Sequence, residues 1–125
     1  MTNLEPSRPA TYIVSGGASR LGAAFVRRIS EGGNNVIIGD LDEAAGTEIA
    51  DEFDESVVFC RCDVRRDEDL ADLVLCASDV FGGLDGIVNN AVSYLDNGIT
   101  SSRADWHAAF DVTLFGGAVL LAEAL

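Results

Sequence analysis

A glycine-rich segment near the amino terminus contains the residue types best suited to binding chemistry. It reads Ser15-Gly16-Gly17-Ala18-Ser19-Arg20-Leu21-Gly22 and lies between the apolar run 12–14 and a helical pattern of apolar residues. Glycines let a backbone bend sharply and approach a ligand, and a helix start offers unpaired N–H groups to a phosphate. The spacing indicates a phosphate-binding turn, although glycine-rich turns after strands also arise for backbone reasons alone.

A carboxylate follows the second apolar run of the chain. Asp40 lies 18 residues beyond Gly22, at the end of the run 35–39. In a dinucleotide-binding fold an acid at this place hydrogen-bonds the ribose hydroxyls of the adenosine half, and its charge repels a 2′-phosphate. The position favours NAD over NADP, while an aspartate after a strand is also a common turn or helix-capping residue.

These residues belong to a regular alternation of strand and helix patterns. Apolar runs predict strands at 11–15, 35–39, 57–60 and 86–89; helical spacing predicts helices at 20–31, after Asp42, around 70–81 and from about Arg103. Such alternation predicts an α/β fold with parallel strands and helices on both faces. We expect a Rossmann-like doubly wound sheet of order 3-2-1-4, truncated after the fourth strand. Residues 1–10 are expected to form a polar leader and residues 11–125 a partial NAD(P)-binding domain.

Composition excludes several classes of function. The 125 residues include 21 acidic side chains and eight arginines but no lysine, for a formal net charge of −13. Such a surface repels nucleic acid and anionic membranes, and it suits either solubility in general or a host with high internal salt or a GC-rich genome. No apolar run approaches the roughly 18 residues of a membrane span, and no secretion signal is recognised. A cytoplasmic protein is expected.

The cysteines and the single histidine do not form a metal-binding pattern. Cys60, Cys62 and Cys76 are odd in number, and His107 is far from them along the chain. Reduced, structural cysteines are expected in a cytoplasmic protein. We predict no metal site.

Four segments together resemble the short-chain dehydrogenase/reductase family, over residues 10–125. The turn resembles T-G-x-x-x-G-x-G with Arg20 at the middle glycine, and Asp63-Val64 resembles the family's aspartate and small aliphatic after the third strand. The segment 84–91 resembles L-D-x-L-V-N-N-A-G, followed here by Val92 instead of glycine. Trp106 with the segment 110–116 resembles the helix W-x-x-x-x-x-V-N-L-x-G, with Thr113 at the position of the catalytic asparagine.

The resemblance implies hydride transfer between a nicotinamide cofactor and an alcohol or carbonyl substrate. It assigns the phosphates to the glycines and Ser19, the adenine ribose to Asp40, the adenine to Asp63 and Val64, and the neighbouring ribose to Asn90. The expected cofactor is NAD, with NADP less favoured. The full cofactor-binding set comprises Gly16, Ser19, Leu21, Gly22, Asp40, Asp63, Val64 and Asn90.

The family's catalytic tyrosine and lysine have no counterpart in this sequence. Tyr12 lies in the first predicted strand, Tyr94 is followed four residues later by Gly98, and the chain contains no lysine. We therefore predict no catalytic residue and no hydride transfer by the isolated chain; a substrate would bind only if a carboxy-terminal half exists. A non-catalytic NAD-binding module and an inert truncated relic remain as alternatives. The apolar last helix predicts self-association.

Overall fold

Four parallel strands alternate with helices along the chain. The computed structural model describes residues 8–94 and 97–125. Its strands are β1 Thr11–Ser15, β2 Asn35–Asp40, β3 Val57–Arg61 and β4 Gly86–Asn89, and its helices are α1 Arg20–Glu31, α2 Glu43–Ala50, α3 Asp67–Phe81, α4 Arg103–Phe110 and α5 Gly116–Ala124. The sheet order β3-β2-β1-β4 confirms the α/β prediction. Of the predicted leader 1–10, residues 1–7 lie outside the described residues.

The central strands are buried on both faces because helices cover both sides of the sheet. Successive residues of a strand point to opposite faces. Ile13 of β1 and Ile37 of β2 therefore enter a cluster that includes Leu70 and Leu73 of α3 and Leu120 of α5. Their neighbours along the same strands enter a second cluster with α1 and α2, formed by Val14, Ala23, Val26, Val36, Ile38, Ile49 and Val57. The sheet is therefore doubly wound.

Local sequence signals explain most helix ends. The Asp42 carboxylate accepts the Ala45 N–H at 3.0 Å, which satisfies one of the unpaired N–H groups at the start of α2. Gly82 ends α3 in the left-handed conformation, with φ at 80°. Helix α2 ends at Ala50, and Phe53 lies beyond the helix and still packs against the core.

The last helical region contains a feature that the sequence pattern did not predict. A π-helical turn, Asp111–Phe115, joins α4 to α5. Trp106 is 38% exposed, and the centroid of its ring lies 6.1 Å from that of the Phe110 ring. The apolar side chains exposed along this region are Trp106, Phe110, Leu114, Phe115 and Leu121, and we call them the α4–α5 apolar face.

The region Arg103–Ala124 is also long and apolar enough to cross a membrane, by length and composition alone. Its mean hydropathy reaches 1.3 over the most apolar window, a signal that counting unbroken apolar runs in the sequence did not reveal. Leu120 of the same region is 1% exposed within the core cluster under the sheet. Packing against the sheet therefore accounts for part of its apolar character.

Candidate functional site

A cavity of about 680 Å³ opens at the carboxyl ends of the strands. In a parallel α/β sheet this end is where ligands bind, because the loops after the strands meet there. Of the eight predicted cofactor-binding residues, all except Gly22 line this strand-end cavity: Gly16, Ser19, Leu21, Asp40, Asp63, Val64 and Asn90. The fold thus brings together residues separated by up to 74 positions in sequence.

Gly22 lies behind the cavity wall and has a packing role. A Cβ at Gly22 would collide with the Gly16 carbonyl oxygen and would lie 2.6 Å from Asn90 Nδ2. Gly16 itself has φ at 67°, a conformation that glycine adopts without the steric cost of a side chain. Both glycines therefore allow the turn to lie directly against Asn90, whose Nδ2 donates to the Gly16 carbonyl at 3.0 Å.

A buried hydroxyl joins the ends of β1 and β4. Ser15 is 1% exposed, and its Oγ accepts the N–H groups of Asn90 and Ala91, each at 3.1 Å. Both of these N–H groups follow β4, outside the regular strand pairing. Ser15, the first residue of the glycine-rich segment, therefore holds the Asn90 loop against the glycine turn.

The start of α1 faces the cavity with its polar groups available. Ser19 is the N-cap residue, its side chain makes no capping hydrogen bond, and the first turn of the helix carries no acidic residue. The first N–H groups of a helix have no partner within the helix and carry partial positive charge. This end of the cavity is suited to an anion.

The Asp40 carboxylate is fixed by main-chain hydrogen bonds. Its Oδ2 accepts the Ala18 N–H and its Oδ1 accepts the Asp42 N–H, each at 3.0 Å. The side chain therefore links the glycine turn to the loop after β2 and places a negative charge on the cavity wall. Each oxygen retains a further lone pair for a ligand hydroxyl.

Asp63 is bound by an arginine that the sequence analysis did not single out. Arg65 donates from Nε to Asp63 Oδ1 at 2.9 Å and from its terminal nitrogen to Oδ2 at 2.7 Å. These hydrogen bonds lower the pKa of the Asp63 carboxyl to about 2. Because the guanidinium occupies both oxygens, an adenine amino group would share Asp63 with Arg65. The sequence signal that could have revealed this ion pair is the arginine two residues after Asp63.

Helix α5 holds Val64 in the cavity wall. A Cβ at Gly116 would lie 2.7 Å from the Val64 carbonyl oxygen and 3.0 Å from its Cβ. Glycine at the start of α5 therefore permits close contact with the loop after β3. Val112, in the π-helical turn, also lines the cavity, whereas the neighbouring Thr113 is exposed and does not line it.

Two of the substitutions in the family pattern, Arg20 and Val92, have different structural consequences. Among the described residues, Arg20 is the only non-glycine with a positive φ, at 51°. A side chain in this left-handed conformation carries a steric cost that glycine avoids. Val92 has no positive φ and lines the cavity with 44% of its surface exposed. The backbone therefore accommodates valine at 92 without strain, while the strain is at position 20.

The cysteines do not add a reactive group to the cavity. All three are free, and burial raises the pKa of the Cys60 and Cys62 thiols to about 12. Cys62 lines the cavity but is 2% exposed. Across residues 8–94 and 97–125, no group of three or more metal-binding side chains is close enough to hold an ion.

Comparison with known proteins identifies the family. A family model described as enoyl-(acyl carrier protein) reductase matches residues 16–125. The chain is 42% identical over 82 residues to 3-hydroxyacyl-CoA dehydrogenase type-2 of Drosophila melanogaster, covering 66% of this chain and 32% of the relative. It is 47% identical over 79 residues to L-fucose dehydrogenase of Bos taurus, covering 63% and 29%.

Solved structures have the same fold over most of the chain. A short-chain dehydrogenase/reductase from Brucella melitensis superposes with a TM-score of 0.86 at 26% identity, covering 92% of this chain and 50% of that one. A 3-ketoacyl-(acyl-carrier-protein) reductase from the same organism, complexed with NADH, also gives 0.86, at 23% identity and 94% and 50% coverage. The chain therefore spans about a third of the curated relatives and half of the solved structures. With the strand order and the family match over 16–125, it belongs to the short-chain dehydrogenase/reductase family.

Proposed function

We propose that this chain binds a nicotinamide dinucleotide in the strand-end cavity, as the cofactor-binding half of an oxidoreductase. The observation that carries the proposal is the cavity itself, because seven of the eight predicted cofactor-binding residues line one space of about 680 Å³. A space of this size lies within the range of small-molecule and cofactor sites, roughly 300–1,000 Å³. The bound cofactor would supply or accept a hydride at its nicotinamide ring.

The glycine turn fits a pyrophosphate. Gly16 lines the cavity without a side chain, and Ser19 has a hydroxyl that makes no capping hydrogen bond. Close approach of the backbone and unpaired helix N–H groups are the features that a pyrophosphate requires. In this arrangement Ser19 and the first N–H groups of α1 donate to the phosphate oxygens.

The position of Asp40 favours NAD over NADP. Two main-chain N–H groups hold the carboxylate on the cavity wall, where it can accept hydrogen bonds from the adenine ribose. A 2′-phosphate at the same ribose would meet an immobilised negative charge, whose repulsion is strong in a partly enclosed site. We assign the adenine to the space beside Asp63 and Val64, and the second ribose to the space beside Asn90.

The curated relatives support an oxidoreductase and leave the substrate open. Their names include dehydrogenases of a hydroxyacyl-CoA and of L-fucose, two chemically different alcohols, and the solved reductase holds NADH. We propose an alcohol or carbonyl substrate for a protein that completes this fold. For the isolated 125-residue chain we propose binding without hydride transfer, because its sequence has no lysine to lower a tyrosine pKa. A cytoplasmic location and self-association stay predictions.

Titration calorimetry with NADH and NADPH tests the proposal on the parent chain and an Asp40→Asn variant. We expect the parent to bind NADH more tightly than NADPH. Asparagine keeps the size of the side chain but loses the charge-assisted hydrogen bonds to the ribose, so NADH should bind about 10-fold more weakly. The variant also loses the repulsion between the Asp40 carboxylate and the 2′-phosphate of NADPH. The ratio of NADH affinity to NADPH affinity should therefore be smaller than in the parent.

Asp51→Asn provides the matched control. Asp51 is exposed at the end of α2 and does not line the cavity, yet its substitution changes the net charge equally. Its NADH affinity should equal that of the parent. Unchanged NADH affinity in Asp40→Asn would contradict the ribose role, and no binding of either dinucleotide by the parent would refute the proposed function.

A further inference from the structure

The strand-end cavity contains two arginines in different electrostatic situations. Arg20 and Arg65 both line it, together with Asp40 and Asp63. Both oxygens of Asp63 already accept hydrogen bonds from Arg65, which neutralises that pair. The Arg20 side chain makes no ion pair or hydrogen bond with any residue of the described ranges 8–94 and 97–125. Arg20 is thus the cation in the cavity that is available to a ligand.

The backbone at Arg20 adopts a conformation that favours glycine. Its φ of 51° is the only positive value at a non-glycine among the described residues. Arg20 is the first residue of α1 and directly follows the N-cap residue Ser19. The chain therefore carries a cationic side chain at a position where the main chain itself would be more relaxed without one.

The overall charge of the protein opposes binding of an anion. The formal net charge is −13, and a dinucleotide brings at least two negative phosphates to the cavity. The two arginines and two aspartates of the lining make the cavity formally neutral; without Arg20 it would be negative. A guanidinium near the phosphates would reduce this long-range repulsion and add charge-assisted hydrogen bonds.

We infer that the Arg20 guanidinium is a phosphate-binding group of the strand-end cavity, and that it determines how strongly this chain holds its dinucleotide. The inference rests on the proposed function, since the phosphate belongs to the same ligand. Two phosphates could be the partner, the pyrophosphate bridge or the 2′-phosphate of NADP. They share the chemistry that a guanidinium recognises, and different dinucleotides distinguish them.

The experiment compares dinucleotide affinity and thermal stability in Arg20→Gly, Arg20→Lys and the parent. Glycine relaxes the backbone at position 20, so the variant should fold with a Tm equal to or above that of the parent. We expect its NADH affinity to fall about 10-fold, because a charge-assisted hydrogen bond is lost. Arg20→Lys, which keeps the positive charge, should retain most of the affinity.

Arg28→Gln is the matched control for net charge. Arg28 lies exposed in the last turn of the same helix, outside the cavity. Its NADH affinity should stay within about twofold of the parent, since exposed charges separated by more than roughly 10 Å are largely screened at 0.1 M salt. If Arg28→Gln and Arg20→Gly lose NADH affinity equally, the change in net charge alone explains the loss, and the inference is overturned.

Comparing NADH with NADPH shows which phosphate group Arg20 binds. Equal losses of NADH and NADPH affinity in Arg20→Gly identify the pyrophosphate, whereas a larger loss for NADPH identifies the 2′-phosphate. Arg20→Gly that binds both dinucleotides as tightly as the parent overturns the inference and leaves the proposed function intact. Absence of dinucleotide binding by the parent overturns both.

Discussion

Strands β2 and β4 have similar apolar sequences but very different environments. In β2, Val36, Ile37 and Ile38 are fully buried, whereas every residue of β4 is at least partly exposed. Strand β2 pairs with β1 and β3, while β4 pairs with β1 alone in the described part of the chain. Burial of a parallel strand thus depends on neighbours on both sides as well as on its own residues.

A similar contrast separates the strand-end cavity from the last helical region. The glycine turn, Asp40 and the loop after β3 are fixed by main-chain hydrogen bonds and close glycine contacts. On the β4 side, α5 packs Leu120 into the core, while the α4–α5 apolar face remains exposed. The part of the cavity formed by the glycine turn, Asp40 and the loop after β3 is therefore better fixed than the last helical region. Three measurements can test this difference, in order of decreasing expected effect.

Paired leucine substitutions in α5 test whether the helix has one buried and one open side. Leu120 is 1% exposed and Leu121 56% exposed. Leu120→Ala should lower the free energy of unfolding by about 3 kcal/mol, since it leaves a cavity in the core. Leu121→Ala should change it by less than about 0.5 kcal/mol. Urea denaturation at several protein concentrations measures both; a large, concentration-dependent loss in Leu121→Ala would mean that a second copy covers the α4–α5 apolar face.

Two glycine-to-alanine substitutions test how tightly the glycine turn is packed. Gly22→Ala forces a Cβ into the Gly16 carbonyl and the Asn90 amide, and such overpacking should cost about 2 kcal/mol of unfolding free energy. NADH affinity should fall at the same time. At Gly33, where φ is 84° and a Cβ would meet nothing within 4 Å, alanine should cost about 1 kcal/mol through the backbone alone. Calorimetric melting compares the two, and equal losses would argue against the collision.

Acid titration tests the fixed Asp63 carboxylate in the loop after β3. The Arg65 hydrogen bonds lower the pKa of Asp63 to about 2, so the folded state binds its proton less readily than the unfolded chain. This stabilisation is present above the ordinary aspartate pKa of 3.8 and is lost as pH falls toward 2. Asp63→Asn should reduce the pH dependence of the urea midpoint in that window. An unchanged slope would show that the Arg65 pairing does not contribute to stability; Asp54→Asn, exposed and outside the cavity, is the control.

Much of the cavity was predictable because its residues follow strands. The glycine spacing pointed to the turn with Gly16 and the end of the second strand to Asp40, and the family resemblance added Ser19, Leu21, Asp63, Val64 and Asn90. Gly22 was assigned to the phosphates by the same spacing, whereas the structure gives it a packing role against Gly16 and Asn90. Arg65 and the Ser15 hydroxyl were missed, since their partners depend on side-chain geometry that spacing does not specify.

The sequence by itself determined the order of strands and helices, the glycine turn, the capping by Asp42 and the family. These depend on local backbone preferences and on apolar periodicity, which act over a few residues. Only the tertiary structure decided that Arg20 is strained while Val92 is not, and that Trp106 is partly exposed instead of lying in the core. It also decided that the last helix contains a π-helical turn. The exposure of Trp106 depends on which segments pack against the last helix, and the φ of Arg20 and the π-helical turn are departures from regular backbone geometry that residue types and spacing do not specify.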